Sequence, residues 1–548
     1  MEKGISDMDE TKSSAKNVIK SVLGQVPFTA ELYWLMRNDK NINSRFSLKN
    51  LDHHLPQMVA DAEALRKKTK CEGKNIFIFA TLHYWIEHAA VMGITLAGLG
   101  HKVTMGYLPF HDWQNTINKF DLRRQNLYAD GILSKTKPVM ETISFLNLHT
   151  GYKVVPEDLR ARIELISRYD SMYTLQVENV DTSSAIYKLR VKRNMSAARD
   201  AYEYLKTNRP DVVIVPNGTI QEFGVVYEVA RYLDIPAVTY EFGEQRDRIW
   251  LAQNDKVMRQ ETCDMWEAFR DKELTKIEKD KITEQFEARR NASVWKNFAR
   301  LWQAVPAKGV EAARKELGLD ERPMVLLATN VLGDSLTLGR EVFSQSMEDW
   351  LEKTLQYFAG RKDAQLIIRV HPGEVLIHGQ SMLNVIKRVL PMLPEHIRVI
   401  APTEKVNTYD LIAAADVGLV YTTTVGLEMA MSGVPVIVVG DTHYRGRGFT
   451  QDPDSWVKYH KTLKAMLESP QDYRLSEEEI NLAWAYAYRF FYEYPRPYPW
   501  HLVFLWEDYA KRPLSDVVKS KEWKQYKPAF DYLAGEPLDW SAIRAQSA

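Results

Sequence analysis

Apolar residues in this chain fall into short continuous runs, separated by longer stretches with a helical spacing of polar and apolar positions. Runs of that kind predict strands buried on both faces, as in a parallel sheet covered by helices. The first run is Asn75-Ile76-Phe77-Ile78-Phe79-Ala80, followed by a helical segment, the turn Gly98-Leu99-Gly100-His101 and Lys102-Val103-Thr104-Met105. After a charge-rich helical middle the order returns, with Asp211–Pro216, a helix over Glu222–Leu233 and then Ile235–Tyr240. Residues 262–315 are dense in charge and read as linking helices. A second set of strands follows at Met324–Thr329, Gln365–Val370, Ile397–Ile400, Val417–Val420 and Val434–Val439, again with helices between them. The pattern predicts two doubly wound α/β lobes with ligand sites at the carboxyl ends of their strands. The divisions expected are a helical arm over 1–70, a first lobe with its linker over 71–315, a second lobe over 316–475 and closing helices over 476–548.

The chain has 548 residues, enough for two to four units at about 150 residues each. Its 72 lysines and arginines balance 72 aspartates and glutamates, so no global basic field exists to hold a nucleic-acid backbone. Two cysteines, Cys71 and Cys263, supply neither a disulfide framework nor a zinc set. The N-terminus is polar, and no stretch reaches the roughly 18 apolar residues that cross a bilayer. A cytoplasmic protein is expected, and the aromatic tail around Trp500, Phe504 and Trp506 either touches the inner face of a membrane or packs against the lobes.

Chemistry concentrates at the predicted carboxyl edges. Tyr421-Thr422-Thr423-Thr424-Val425-Gly426-Leu427-Glu428 runs from a strand end through hydroxyl residues into a helix. A helix start of this kind offers N–H groups and partial positive charge to a phosphate. Glu428, one turn beyond Thr424, is placed to accept ribose hydroxyls, or else is an ordinary helix glutamate. In Arg369-Val370-His371-Pro372-Gly373 the Pro-Gly turn directs His371 toward the cleft, where an imidazole can stabilise charge on a departing phosphate. Asp334 and Ser335 either bind the transferred group or cap a helix, and Arg445 and Arg447 either meet an anion or lie on a solvated loop. In the first lobe His83, Glu241 and Asp247, with Glu222, are candidates for the base that removes an acceptor proton. His83, Glu87 and His88 do not share a helix face as a zinc pair would, and no metal site is expected. The sequence holds no phosphate-binding Walker loop, dinucleotide glycine fingerprint or nucleophile elbow.

Asp334-Ser335, Arg369-Val370-His371-Pro372, Thr422 to Glu428, Gly433-Val434-Pro435-Val436 and Tyr444 to Thr450, in that order, resemble the capsular-polysaccharide biosynthesis glycosyltransferases, a group that includes bacterial Kdo transferases. The resemblance is close over 324–450, weaker over 75–255 and absent from the first 70 residues. It implies a GT-B fold, with a nucleotide-sugar donor in the second lobe and an acceptor in the first. It also implies transfer without a bound metal or other cofactor. By the resemblance His371, Thr423 and Thr424 grip donor phosphate and Glu428 the ribose, while Arg369 stands where the family carries a lysine-rich run.

The function expected is transfer of a sugar from a CMP- or UDP-linked donor to a saccharide or lipid-linked acceptor in bacterial surface polysaccharide synthesis. A nucleotide-sugar 2-epimerase on the same two lobes and a non-catalytic subunit of a polysaccharide assembly complex are the alternatives.

Overall fold

The computed structural model describes residues 19–36, 46–69, 73–148, 154–243, 245–293, 303–376 and 379–546. Cys71, Glu244 and much of the expected N-terminal arm lie outside them.

Among the described residues twelve strands make two sheets. The first comprises β1 (Asn75–Thr81), β2 (Lys102–Leu108), β3 (Met140–Ser144), β4 (Val212–Pro216), β5 (Ala237–Glu241) and β6 (Arg248–Gln253). The second comprises β7 (Met324–Ala328), β8 (Gln365–Arg369), β9 (Ile397–Ile400), β10 (Val417–Val420) and β11 (Val436–Val438). The last strand, β12 (Arg496–Pro497), returns to the first sheet and pairs antiparallel with β6. Read from the far edge, the first sheet runs β3-β2-β1-β4-β5-β6-β12 and the second β9-β8-β7-β10-β11. All pairs in the second sheet, and those among β1 to β5, are parallel. Each lobe therefore has the Rossmann order, reversing between β1 and β4 and again between β7 and β10.

The apolar runs form strands because both faces are covered: Ile76 to Ala80, Val212 to Val215 and Met324 to Leu327 are all buried. Strands β3 and β6 lack such runs. Met140–Ser144 is a half-exposed edge strand and Arg248–Gln253 an antiparallel one, so neither carries the signal of a doubly covered parallel strand.

The arm expected over residues 1–70 is, from Phe46 onward, part of the first lobe. Leu51, Leu55, Met58 and Ala62, on the helix Lys49–Arg66, share the core of β1 and the helix His83–Gly98. The C-terminal segment stitches both lobes. Tyr486 and Phe490 pack into the second-lobe core, and Tyr498, Trp500 and Phe530 into the first.

The lobes meet at their carboxyl edges. Met172 and Ile220 of the first pack against Leu338 of the second. Gly333 takes a φ of 69°, and a Cβ there would stand 2.3 Å from the Met172 carbonyl oxygen, so this turn requires glycine. Glu178, just beyond the helix Glu157–Leu175, accepts N–H bonds at 3.0 and 2.7 Å from Met347 and Glu348, at the start of the second-lobe helix Met347–Ala359. This is the GT-B arrangement of two Rossmann-like lobes facing one another.

Candidate active site

The second-lobe crevice is built on hydroxyl and amide pins between loops. After β7, the Thr329 hydroxyl accepts the His371 backbone N–H at 3.1 Å, and Asn330 Oδ1 accepts the Thr422 N–H at 3.2 Å. The loop after β10 is held from the β11 side. The Thr442 hydroxyl donates to the Thr422 carbonyl at 3.2 Å, and Tyr444 OH donates to the Thr423 carbonyl at 2.6 Å. Ends of β7, β8, β10 and β11 are thereby locked around the point where the strand order reverses. In open α/β sheets that is where ligands bind.

Within this frame the His371 ring is fixed in one tautomer. Its Nδ1 accepts the Gly373 N–H at 3.0 Å, so the proton of the neutral ring sits on Nε2. The Thr422 hydroxyl is buried without a hydrogen-bond partner among the described residues. An orphaned buried hydroxyl beside a ligand crevice is an unmet demand that a bound oxygen would satisfy. Thr423 Oγ1 accepts the Val425 N–H at 3.4 Å, and Thr424 makes no side-chain cap at the helix Val425–Met431. Asp334 Oδ1 accepts the Leu336 N–H at 2.8 Å, which makes it a turn former at the rim, with Ser335 buried beside it.

Five residues expected to face the ligand are committed inside the protein. Glu428 Oε1 accepts from Arg289 at 2.7 Å, with both side chains buried, so this carboxylate neutralises a cation from the linker helix Lys276–Arg290. Arg445 donates to the carbonyls of Val438 and Pro453, and Arg447 to the His443 carbonyl, the Thr262 hydroxyl and Cys263 Sγ. Both arginines brace their loop. Arg369 donates to the Ala401 carbonyl at 3.0 Å. Gly426 is small because a Cβ there would stand 2.4 Å from Tyr444 OH, a demand of packing and not of a ligand.

In the first lobe the crevice is marked by unusual backbone. Leu82 after β1, and Asn217 and Gln221 after β4, have φ of 62°, 56° and 56°, conformations that cost energy and cluster at functional sites. Glu241 ends β5 beside them. Its Oε2 accepts from Asn217 Nδ2 at 3.1 Å and its Oε1 from the Phe242 N–H at 3.0 Å. Burial nevertheless outweighs those bonds and pushes the carboxyl up to about 7. Tyr173 bridges the lobes: burial first, then the Asp334, Glu241 and Asp170 carboxylates, push its phenol up to about 12. Tyr84 is raised for the same reasons, with Tyr173 and Glu241 as its neighbours.

The other base candidates stand apart. His83 begins its helix with its ring edge-on to Phe46 at 6.4 Å, and burial lowers its pKa. Asp247 lies on the outer side of the turn, where its backbone carbonyl accepts the Tyr498 N–H at 2.9 Å and Arg248 is 4.0 Å from its carboxylate. Glu222 is buried in an ion triad with Arg190 and Asp170. Asn217 and Tyr173 were not singled out by sequence. The Asn217-Gly218 pair directly after an apolar run is a turn signal that marks the first. Nothing local marks Tyr173. Among the described residues no group of three or more His, Cys, Asp or Glu is placed to hold a metal ion.

Residues 252–481 match the family model described as Capsule polysaccharide biosynthesis protein. Over that span the chain is similar to this family. No curated protein matches the chain. Among solved structures, the Thermosulfurimonas dismutans KpsC beta Kdo 2,4 transferase is similar at 19% identity, over 50% of this chain and 78% of that one, with a TM-score of 0.34. The KpsC beta Kdo 2,7 transferase of the same organism is similar at 12% identity over 52% and 79%, with a TM-score of 0.29. The UDP-GlcNAc 2-epimerase from Neisseria meningitidis, bound to UDP-GlcNAc, is similar at 12% identity over 76% and 99%, with a TM-score of 0.24. No residue's role is carried over from these three structures.

Proposed function

We propose that this protein is a capsule-polysaccharide glycosyltransferase that moves a sugar from a nucleotide-linked donor to a saccharide or lipid-linked acceptor. The observation that carries the reading is that both lobes present polar loops at the carboxyl edges through which they meet. An imidazole donor and an orphaned hydroxyl stand on the second lobe, and a carboxyl near neutral pKa stands on the first. Sugar transfer builds positive charge at the anomeric carbon and negative charge on the leaving phosphate. In this reading His371 Nε2–H and the Thr422, Thr423 and Thr424 hydroxyls meet the phosphate, with Asp334 and Ser335 on the sugar side. Hydrogen-bond donors fixed before the reaction stabilise such charge without reorganising. Glu241 takes the acceptor proton as that hydroxyl attacks. A base works best with a pKa near the working pH, which is where burial puts this carboxyl. Arg369, Arg445, Arg447, Gly426 and Glu428 are scaffold, and Asp247 lies outside the reaction. Protein donors alone carry the phosphate charge in this scheme, and the work is placed in the cytoplasm.

The test is to incubate the protein with CMP-, UDP-, GDP- and TDP-sugars and bacterial glycan acceptors. Acceptor-dependent release of nucleotide supports the reading. Conversion of UDP-N-acetylglucosamine to its 2-epimer without acceptor would replace it with an epimerase.

A further inference from the structure

Where the C-terminal segment crosses back over the first lobe it leaves a pocket of about 300 Å³, walled by the end of β6, the start of the helix Cys263–Phe269, Tyr494 and Arg496 around β12, and residues 532–540. Pockets that hold small ligands begin at about this size. Asn254 on its wall donates its N–H to the Ala237 carbonyl at 2.7 Å, which puts the pocket at the amino end of β5, whereas Glu241 ends the same strand at the carboxyl edge. Its lining shares no residue with either crevice of the cleft.

Two polar side chains deep in this wall have unmet demands. Tyr494 is only 6% exposed, and its hydroxyl has no hydrogen-bond partner among the described residues. Burial first, then Tyr532, Tyr486 and the Asp255 and Glu261 carboxylates, raise its pKa well above the usual phenol range, so the hydroxyl keeps its proton and is a donor. Asp255 and Glu261 line the same pocket, and their action on this hydroxyl places it among them. Arg496 is 9% exposed. One guanidinium nitrogen donates to the Glu493 carbonyl at 3.0 Å, while its Nε is buried without a partner among the described residues. Buried polar groups in folded proteins are satisfied as a rule, so two exceptions in one pocket wall point to a ligand.

The remaining lining selects the class of ligand. Asp255 and Glu261 each accept a local backbone N–H, from Lys256 at 2.7 Å and from Cys263 at 2.8 Å, and Asp264 stands exposed beside them. Tyr532 and Trp540 are half-buried and add ring surface, with the Tyr532 hydroxyl fixed by the Gln253 N–H at 2.8 Å. An anion would meet three carboxylates, and a cation would meet the buried guanidinium. A neutral ligand rich in hydroxyls donates to the carboxylates and accepts from Tyr494. The weakly positive C–H face of a pyranose ring also matches the negative face of an aromatic ring. We propose that this pocket binds a neutral saccharide unit at a site separate from the catalytic cleft. Under the proposed function it would hold a distal unit of the glycan acceptor or product, but binding itself stands without that assignment.

The experiment is isothermal titration of the full chain with cellobiose, maltose, lactose and N,N′-diacetylchitobiose, with spermidine and inorganic sulfate as charged comparisons. It uses wild type, Tyr494→Phe, Asp264→Ala and His371→Ala. At least one disaccharide should bind wild type, about fivefold or more weakly in Tyr494→Phe and in Asp264→Ala at unchanged melting temperature, and equally well in His371→Ala. Binding of none of the four would overturn the proposal, as would equal affinity in wild type and Tyr494→Phe. Loss of binding in His371→Ala would overturn it too, since the sugar would then sit in the cleft. So would spermidine or sulfate binding that Tyr494→Phe weakens with no disaccharide bound. None of these readouts requires glycosyl transfer.

Discussion

Asn217 donates its side-chain N–H to Glu241 Oε2 at 3.1 Å from a left-handed backbone position, φ 56°. The bond joins the loop after β4 to the end of β5 and fixes the orientation of a carboxyl whose pKa lies near neutrality. Glu241→Gln keeps the shape and removes the base. It is expected to lose about 10²–10⁴-fold in turnover while still binding donor nucleotide. The wild-type rate should rise with pH through about 7, where this carboxyl ionises. Asn217→Ala removes a bond that favours the charged form, so the rise should move to higher pH. Rate–pH profiles of the three proteins check this.

Three buried carboxyls, Glu87, Glu178 and Glu241, are each pushed from 4.5 up to about 7, with burial as the main cause. In the window between those values the folded chain holds protons that the unfolded chain has released. Stability must therefore fall as pH climbs through it, the reverse of a salt-bridged carboxylate. Melting temperature should drop between about pH 5 and about pH 8, and Glu178→Gln should flatten the drop. Glu178 also joins the lobes, so a steeper drop in this variant would show that its charge at the start of the helix Met347–Ala359 stabilises the lobe contact more than burial penalises it.

The Arg289–Glu428 pair separates two roles. If Glu428 is scaffold, Glu428→Ala leaves a buried guanidinium uncompensated and costs about 3–5 kcal/mol of stability. The double variant Arg289→Met, Glu428→Leu should recover much of it. Chemical denaturation measures both effects, and nucleotide titration tests whether Glu428 also meets the ribose. A Glu428→Gln protein with unchanged stability and weakened nucleotide binding would return this residue to the ribose.

Gly426→Ala is expected to cost about 1–3 kcal/mol, because the new methyl meets Tyr444 OH and the loop after β10 must shift. Trimming the obstacle with Tyr444→Phe should restore part of that stability, although it also removes the bond to the Thr423 carbonyl. Thermal melts of the two single variants and the double variant read this directly.

The sequence carried the strand order because doubly buried strands such as Ile76 to Ala80 leave unbroken apolar runs. It missed β3 and β6, which are an edge strand and an antiparallel one and leave no such run. The loops of the second-lobe site were legible as well, since Pro372-Gly373 and the Thr422 to Thr424 hydroxyls are local signals. Their partners were not. Arg289 lies 139 residues from Glu428, and the carbonyls that hold Arg445 and Arg447 have no signature, so a charged loop read from spacing alone looks free to bind a ligand. The aromatic tail leaves membrane contact and lobe packing both open in sequence, and the stacking of Trp506 on His54 with Trp500 in the first-lobe core is packing.

The central claim is that donor phosphate is held at the point where the second sheet reverses its order, beside His371. Isothermal titration of CMP, UDP, GDP and TDP into wild type and His371→Ala tests it most directly. At least one nucleotide should bind wild type at one site per chain, and His371→Ala should weaken it by about tenfold or more without changing the melting temperature. Binding of none of the four, or equal affinity in the two proteins, would contradict the claim.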